Sequence, residues 1–563
     1  MPFRPGTIKI LSVALAAAGV VALPFVFHRP QESGDWTPGG LELVVITPHN
    51  EAIRHEFARG FSAWHRQRYG QPVYIDWRVI GGTTEIMRYL GSEYAAAAEH
   101  YVKRQLRAGK TATLDDAMGM DDPGSVSCRI DVFFGGGTYD HERAERQRLT
   151  VPAWSDRPPA GLFADAAGRE LIPEQLSGEV WRGKCFYGNV LSTFGICYNL
   201  DRLRDQNITA PPGSWRDLTD PRYFGLVGVA DPTKSGSVAK AFEMIVHEAC
   251  ARSVAAAGYG SREIEAFERR IAENAGDSGE LAAYQNAIES GWLDGIRLVR
   301  RIGANARYFT DSAGKVPVDV GAGVTAAGIA IDFYGRLQSE LAHHDPKTGR
   351  PVMNYVTPVG GSSVSADPIS LLRGAPHREL AVRFIEYVLG EDGQRLWNYR
   401  VGEPGGPDRY ALRRLPIRRT FYPAPDDPEL DRGFESHRPH LTDPLGDPAC
   451  DVYRIASAFT YRARWTSRHF GIQRDLIRAM CMDSGDELRE CWAAIIANGG
   501  PERQPEAMRL MESLPDTPVP LDWRSAVEVY SKMPRTERLR RWTGFFRQRY
   551  RQAKEAVDLG REK

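Results

Sequence analysis

The apolar positions of this chain come in short runs that stop at small-residue turns and resume with helical spacing. Leu41 to Ile46, LELVVI, is a mostly apolar run that predicts a strand. It ends in Thr47-Pro48-His49-Asn50. From Glu51 to about Tyr69, Ile53, Phe57, Phe61 and Trp64 then recur every three or four positions, the apolar face of a helix with Asn50 as its N-cap. The pattern repeats. A strand in PVYIDWRVI runs into Gly81-Gly82-Thr83-Thr84 and a helix in EIMRYL, and a strand over Ile130 to Phe134 ends in Gly135-Gly136-Gly137-Thr138-Tyr139. Residues 92–127, polar, Ala-rich and helical at first, read as an insertion.

The stretch Leu226 to Phe242, LVGVADPTKSGSVAKAF, shows the same junction most clearly. Leu226, Val227, Val229 and Ala230 predict a buried strand, Asp231-Pro232 ends it, and a helix starts at Val238. Such a turn aims free backbone N–H groups and the positive end of the helix dipole at whatever lies in front. Ser235 and Ser237 add hydroxyls, and Gly236 lets the backbone approach closely. The alternative is a plain strand-to-helix turn capped by Ser237. Further on, Gly188 to Tyr198 reads as a strand pair or strand-turn-strand, Phe242 to about Ile302 as mostly helical, GVTAAGIAIDFYGR as carrying a strand, and Tyr355 to Val359 as a short one. A helix is expected from about His377 to Leu389, irregular chain over 400–440, and helices from Cys450 to Asp558. Strands alternating with helices predict an α/β fold with a parallel sheet covered on both faces, and ligands in such sheets sit outside the carboxyl ends of the strands.

Length allows two or more domains: 563 residues, with 72 basic and 72 acidic side chains and no net charge. Nothing in that balance points to nucleic acid. The basic C-terminal run RTERLRRWTGFFRQRYRQAK reads as a solvated helix face, with contact to acidic lipid or a partner as the alternative. Of the seven cysteines, Cys185 with Cys197 and Cys481 with Cys491 could pair in an oxidising compartment. Arg4 and Lys9 precede an apolar run from Ile10 to Phe27, which predicts a cytoplasmic N-terminus and an exported remainder, held by an uncleaved anchor or released from a cleaved signal peptide. The anchor is preferred, because Val20 to Phe27 stays apolar beyond the small-residue site Ala16-Ala17-Ala18. The chain contains no GxSxG elbow, HExxH or P-loop pattern.

The order of LELVVITPHNEAIRHEFARGFSAWHR, IDVFFGGGTYD, GNVLSTFGICYNLDRL, SWRDLTDPRYFGLVGVADPTKSGS, GVTAAGIAIDFYG and YVTPVGGSSVSADPISLL with AVRFIEYVLGEDGQRLW resembles the extracellular solute-binding proteins of ABC importers, in the group that includes ferric-iron binders. The blocks span about residues 41–400. The resemblance implies a two-lobe periplasmic binding protein type 2 fold with hinge strands, and a ligand held in the cleft as the lobes close. It divides the chain into a signal anchor or signal peptide (1–28), a linker (29–40), lobe 1 (41–150, with the insertion 92–127), a crossover and lobe 2 (151–340), a return to lobe 1 (341–420) and a helical C-terminal extension (421–563).

Carried onto this sequence, the ligand-facing residues are Thr47, His49, Asn50, Gly82, Thr83, Gly136, Gly137, Thr138, Lys234, Ser235, Gly236, Ser237, Asp332 and Tyr334, with Phe333 between the last two. The family's iron binders use adjacent tyrosines, and this chain has no Tyr-Tyr pair; Asp332-Phe333-Tyr334 stands near where one would lie. Ferric iron as transported ligand would need hard oxygen donors, for which His49, Tyr139, Asp332 and Tyr334 are candidates. An anionic or polyhydroxyl solute would instead use the Ser and Thr hydroxyls, with Lys234 as counter-charge. Trp64, Trp77, Trp181 and Trp215 read as packing residues. The resulting expectation is a periplasmic or otherwise extracytoplasmic binding protein, without cofactor or catalysis, that passes a small polar or anionic solute to an ABC permease. The alternatives are a ligand-sensing subunit of a membrane receptor, and an exported α/β hydrolase or transferase.

Overall fold

The computed structural model describes residues 40–561 apart from 274–278, 347 and 448–449. The anchor or signal read over 1–28, and the linker that follows it up to residue 39, lie outside the described residues. Among the described residues no helix is long and apolar enough to cross a membrane.

Lobe 1 opens with β1 (Leu41–Ile46), α1 (Glu51–Tyr69), β2 (Val73–Arg78), α2 (Thr83–Arg107), β3 (Val132–Phe134) and α3 (Thr138–Arg146). Irregular chain with a small hairpin at 175–180 leads to β4 (Tyr187–Ser192). Lobe 2 follows with β5 (Phe194–Asn199), β6 (Val227–Ala230), α4 (Gly236–Ala256), α5 (Gly279–Asn305), β7 (Ala306–Thr310), β8 (Ala327–Ile331), α6 (Asp332–Leu341) and β9 (Met353–Val356). The chain returns to lobe 1 with β10 (Ser365–Leu372) and β11 (Leu415–Pro416). It ends in helices that include α7 (Phe470–Ile477), α8 (Gly485–Ala497) and α9 (Arg535–Arg561).

One sheet runs β11-β4-β10-β3-β1-β2, with the short strand Thr150–Val151 also on β10; the other runs β7-β6-β8-β5-β9. β1 explains why its sequence is a near-continuous apolar run. Leu43 and Val45 join the core under α1, and Val44 and Ile46 join the core under α2, so both faces are covered. The sheets are mixed rather than parallel as expected. β1 is parallel to β2 and β3, while β10 is antiparallel to β3 and β4, and β5 is antiparallel to β8 and β9. The crossing strands β4, β5, β9 and β10 pair only antiparallel.

The run from Gly188 to Tyr198 is therefore not a strand pair within one sheet. β4 and β5 belong to different sheets, with Thr193 alone between them. The second crossing lies between β9 and β10. β9 still pairs with β5, so the return to lobe 1 begins after Val356 and not at residue 341. The crossings are bonded to each other: Thr193 Oγ1 lies 3.0 Å from Thr357 Oγ1, and the Phe194 N–H donates to Ser362 Oγ at 2.9 Å.

Two further readings change. Residues 92–127 are not a separate insertion: α2 runs on to Arg107, and Tyr94, Ala98, Tyr101, Ala117 and Val126 share the core that holds Ile86 and Leu90. The C-terminal region is not one appendage. Phe421, Tyr422, Phe434, Leu445 and Val452 pack into lobe 1, whereas Phe459, Tyr461, Trp465 and the core residues from Ile472 onward pack into lobe 2. The chain thus crosses a third time, between Ala456 and Phe459. All seven cysteines are free, six of them buried, so neither Cys185–Cys197 nor Cys481–Cys491 is a disulfide.

The basic C-terminal run is α9, and only its outer side is solvated. Trp542, Phe546, Tyr550, Ala553 and Val557 face the lobe 2 core at helical spacing. On the other side Arg541 pairs with Glu537 at 2.6 Å, Arg551 with Glu487 at 2.9 Å and Lys554 with Glu490 at 2.9 Å. Phe546 is fully buried, with the Arg300 guanidinium 5.1 Å from its ring centre. Phe546→Ala is expected to destabilise lobe 2 by about 3–5 kcal/mol, read as a lower urea midpoint, because a cavity replaces the ring.

Candidate functional site

The two lobes enclose a cavity of about 650 Å³, into which the strand-to-helix turns of both point. Lobe 1 contributes Pro48 to Asn50 before α1, Gly81 to Thr83 before α2, and Gly136 to Asp140 before α3; lobe 2 contributes Lys234 to Ser237 before α4, and Ile331, Phe333 and Tyr334 at the start of α6. Five helices of nine residues or more, from both lobes, thus present their N-termini to one space, and the turn Asp311 to Gly314 before the short helix Lys315–Gly321 lines it too. The caps of α2, α3 and α6 are Gly82, Gly137 and Ile331, none of which supplies a side-chain cap. In α2 and α3 first-turn N–H groups can serve a ligand, whereas in α6 the Asp332 N–H donates to the Thr193 carbonyl and the Phe333 N–H to Asp332 Oδ1; the aligned dipoles favour negative charge.

The turns also hold the lobes close. A Cβ on Gly82 would stand 2.9 Å from the Lys234 carbonyl oxygen, across the cleft, so a side chain there would push the lobes apart. Gly136 has φ +102°, and a Cβ on it would stand 2.2 Å from Thr83 Cγ2. Only glycine meets both conditions.

Of the residues expected to face a ligand, His49, Asn50, Gly82, Thr83, Gly136, Gly137, Thr138, Lys234, Ser235, Gly236, Ser237 and Tyr334 lie on the cavity wall. Several are already engaged. Asn50 caps α1 through the Ile53 N–H. Ser235, not Ser237, caps α4, accepting from the Val238 N–H at 3.3 Å, and the two hydroxyls are 3.1 Å apart. Thr138 Oγ1 donates to the Ala366 carbonyl at 3.2 Å. Lys234 is exposed and its ammonium lies 2.7 Å from Asp311, so it is not the uncommitted counter-charge that the sequence suggests.

Thr47 and Asp332 do not line the cavity. Thr47 is wholly buried, its hydroxyl donating to the Phe134 carbonyl at 2.7 Å while accepting from the His49 N–H at 3.1 Å. Asp332 is buried behind the wall, accepts from the Phe333 N–H at 2.8 Å and is paired with Arg336. The oxygen set considered for iron is therefore not assembled: Asp332 turns away, and the Tyr139 ring packs on Phe470 with centroids 4.7 Å apart. Among the described residues no three of His, Cys, Asp and Glu come together as a metal site.

His49 is the least satisfied polar group on the wall. It is 7% exposed, sits edge-on to Phe134 at 4.6 Å, and both ring nitrogens lack a hydrogen-bond partner. Burial, with Arg414 adding to it, holds its pKa well below the usual histidine value, so the ring is neutral. An unpaired donor and acceptor in this position is costly unless a ligand or water completes it.

Other wall residues were not legible in the sequence. Arg414, from the stretch read as irregular, is buried and bonds Asp367 at 2.5 Å and Ser192 Oγ at 2.7 Å, with its guanidinium 4.3 Å from the Phe333 ring centre. Lys240 lies 2.9 Å from Glu179 and 3.0 Å from Glu243, over the Tyr461 ring. Burial opposes its charge, but the two carboxylates outweigh that and hold its pKa well above the usual lysine value. Asp140 is raised by burial against the pull of Arg474 and Arg143. Tyr461, Ala463, Ser467, Arg468 and Phe470 reach the cavity from the C-terminal region. No motif or periodicity marks these positions as cleft residues.

Residues 160–422 match the family model described as bacterial extracellular solute-binding protein, which shows the resemblance read from the sequence. A curated relative, the phosphoglycerate transport regulatory protein PgtC of Salmonella typhimurium, is 22% identical over 233 residues, 41% of this chain and 44% of that protein. An uncharacterized protein of Haemophilus influenzae is 23% identical over 268 residues, 48% of this chain and 60% of that one. The chain thus matches less than two thirds of the length of either. Among solved structures, the periplasmic binding protein AfuA of Actinobacillus pleuropneumoniae, with exogenous fructose-6-phosphate bound, is 15% identical with a TM-score of 0.44, covering 71% of this chain and 98% of that chain. Iron-bound HitA of Pseudomonas aeruginosa is 14% identical with a TM-score of 0.39, covering 74% and 98%.

The buried histidines make stability depend on pH in a defined direction. Burial lowers His49, lowers His141 to about 4 against its bond to the Gly135 carbonyl, and lowers His247 to about 3 with Lys240 and Arg462 adding to it. In the unfolded chain each takes a proton near pH 6.5, and in the folded chain it does not. Their contribution is therefore intact above pH 6.5 and is lost as pH falls below it, by up to about 1.4 kcal/mol per pH unit per histidine. The urea midpoint should drop between pH 7 and pH 5, and His141→Gln, which can keep a bond to Ser370, should flatten that drop.

Proposed function

We propose that this chain is an extracytoplasmic solute-binding protein that closes its two lobes on a small anionic solute and passes it to an ABC permease. The observation that carries this reading is the convergence of five helix N-termini, those of α2 and α3 without side-chain caps, on one interlobe cavity of about 650 Å³. Bare N–H groups and aligned dipoles bind phosphate or carboxylate without a metal. The cavity suits a solute of metabolite size. His49 offers one further donor and acceptor, and the hydroxyls of Ser237 and Tyr334 serve the polar remainder. Binding by closure needs no covalent chemistry, so the protein is read as a carrier and not as an enzyme.

Phosphate monoesters are the solute class favoured here. The name of one relative supports that choice, since it concerns phosphoglycerate transport. Ferric iron is disfavoured because the candidate donors are dispersed. A second reading, ligand sensing for a membrane receptor, is favoured by one observation: that relative's name describes a regulatory protein. The two differ in the partner, permease or receptor, and share the site.

A thermal-shift and calorimetric screen of the purified chain lacking residues 1–39 checks the solute class. 3-Phosphoglycerate, fructose 6-phosphate, inorganic phosphate, ferric citrate and spermidine form the panel. A phosphate ester is expected to raise the melting temperature, by mass action on the folded state. Gly136→Val should weaken that binding at least tenfold by displacing Thr83. A shift with spermidine or ferric citrate and none with any phosphate compound would overturn the reading.

A further inference from the structure

The cleft has a third wall that neither lobe supplies alone. After the chain crosses between Ala456 and Phe459, Ile472, Leu476 and Ile477 of α7 pack into the lobe 2 core, so this segment moves with lobe 2. Its polar and aromatic side chains nevertheless reach lobe 1. Arg474 Nε donates to the Pro232 carbonyl at 2.7 Å, and Nη2 donates to the Thr233 carbonyl at 2.8 Å, both on lobe 2; Nη2 also donates to Thr84 Oγ1 at 2.8 Å, on α2 of lobe 1. Four residues earlier Phe470 packs on Tyr139 of α3. At the segment's start the Tyr461 N–H donates to the Ser177 carbonyl at 2.8 Å, on the 175–180 hairpin, whose neighbours Ile172 and Trp181 belong to the lobe 1 core.

These contacts bear on the two turns, before α2 and before α3, that present uncapped N-termini to the cavity. Besides the crossings, Lys240 with Glu179 at 2.9 Å and Arg413 with Glu340 also bridge the lobes, but neither pair touches those two turns. Opening would break the bond from Arg474 to Thr84 and the packing of Phe470 on Tyr139, while the bonds from Arg474 to Pro232 and Thr233 travel with lobe 2.

We propose that residues 461–474 are a third wall of the solute site, and that Arg474 is the positioning residue that docks this wall on lobe 1 and holds the cleft closed before any solute arrives. The wall adds Ser467, Arg468 and Phe470 to the surface a solute meets. Arg468 is exposed, and no carboxylate lies within ion-pair distance of it among the described residues, so the wall offers an anion an uncommitted cation. This rests on the reading of the cavity as a solute site, but its principal test uses no solute.

Solute-free protein is compared as native chain, Arg474→Ala, Arg474→Lys and Thr84→Val. The readouts are amide exchange at residues 82–86 and 136–140, and the radius of gyration by small-angle scattering. Arg474→Ala and Thr84→Val are expected to speed exchange at those amides at least tenfold and to expand the molecule, with exchange in β6 and β8 unchanged. Arg474→Lys, which keeps the charge and can reach one acceptor, should fall between. Exchange within twofold of native in both Thr84→Val and Arg474→Ala would overturn the proposal. Thr84→Val leaves α7 untouched, so it decides the matter if Arg474→Ala does not fold. A second arm titrates 3-phosphoglycerate into native chain and Arg468→Ala. Weaker binding in Arg468→Ala supports the wall as a solute contact, and equal binding removes Arg468 from it. Absence of binding to both, with the closure result intact, would count against the phosphate-ester reading alone.

Discussion

Everything in this molecule depends on a chain that changes sheets within one residue. Thr193 separates the last residue of β4 from the first of β5, and its hydroxyl meets that of Thr357 on the neighbouring crossing. With one residue between them and a second crossing bonded alongside, the two sheets have a fixed junction at this point. The strands that feed it run against their neighbours, which is why each sheet is mixed. With the joint at one side, every parallel strand on either lobe ends toward the same gap, and the helices that follow begin there.

That arrangement sets the electrostatics of the gap. The acidic and basic side chains on its wall are mostly spent on each other: Lys234 on Asp311, Arg414 on Asp367, Lys240 on Glu179 and Glu243. Apart from Arg468, the field in the gap comes largely from fixed backbone dipoles, which would need no reorganisation to hold an anion. His49 adds a neutral ring whose nitrogens have nothing else to bond.

Local order was readable in the sequence; distant contact was not. The β1–α1 unit, the Asn50 cap and the glycine turns before α2 and α3 follow from nearest-neighbour chemistry, and the structure contains them. The run of α2 through Tyr94, Ala98 and Tyr101 was also visible as helical spacing, but its polar filling hid it. Asp332 has its partner one helical turn later, at Arg336, a spacing that would have argued against a ligand role. Lys234 is different, because Asp311 lies in another strand-to-helix turn, and Arg474 lies 390 positions from Thr84. No local pattern encodes such pairings. The mixed sheets were missed for the same reason: apolar runs report burial and not direction.

The uncrosslinked cysteines have a consequence for how this protein comes to be folded. Burial pushes the Cys185 thiol up to about 11 and the Cys197 and Cys481 thiols up to about 12, so little thiolate exists at neutral pH to react with anything. A fold of this size buries enough apolar surface to do without covalent staples. The native state therefore holds together with no covalent staple to form, and a reductant takes nothing from its stability.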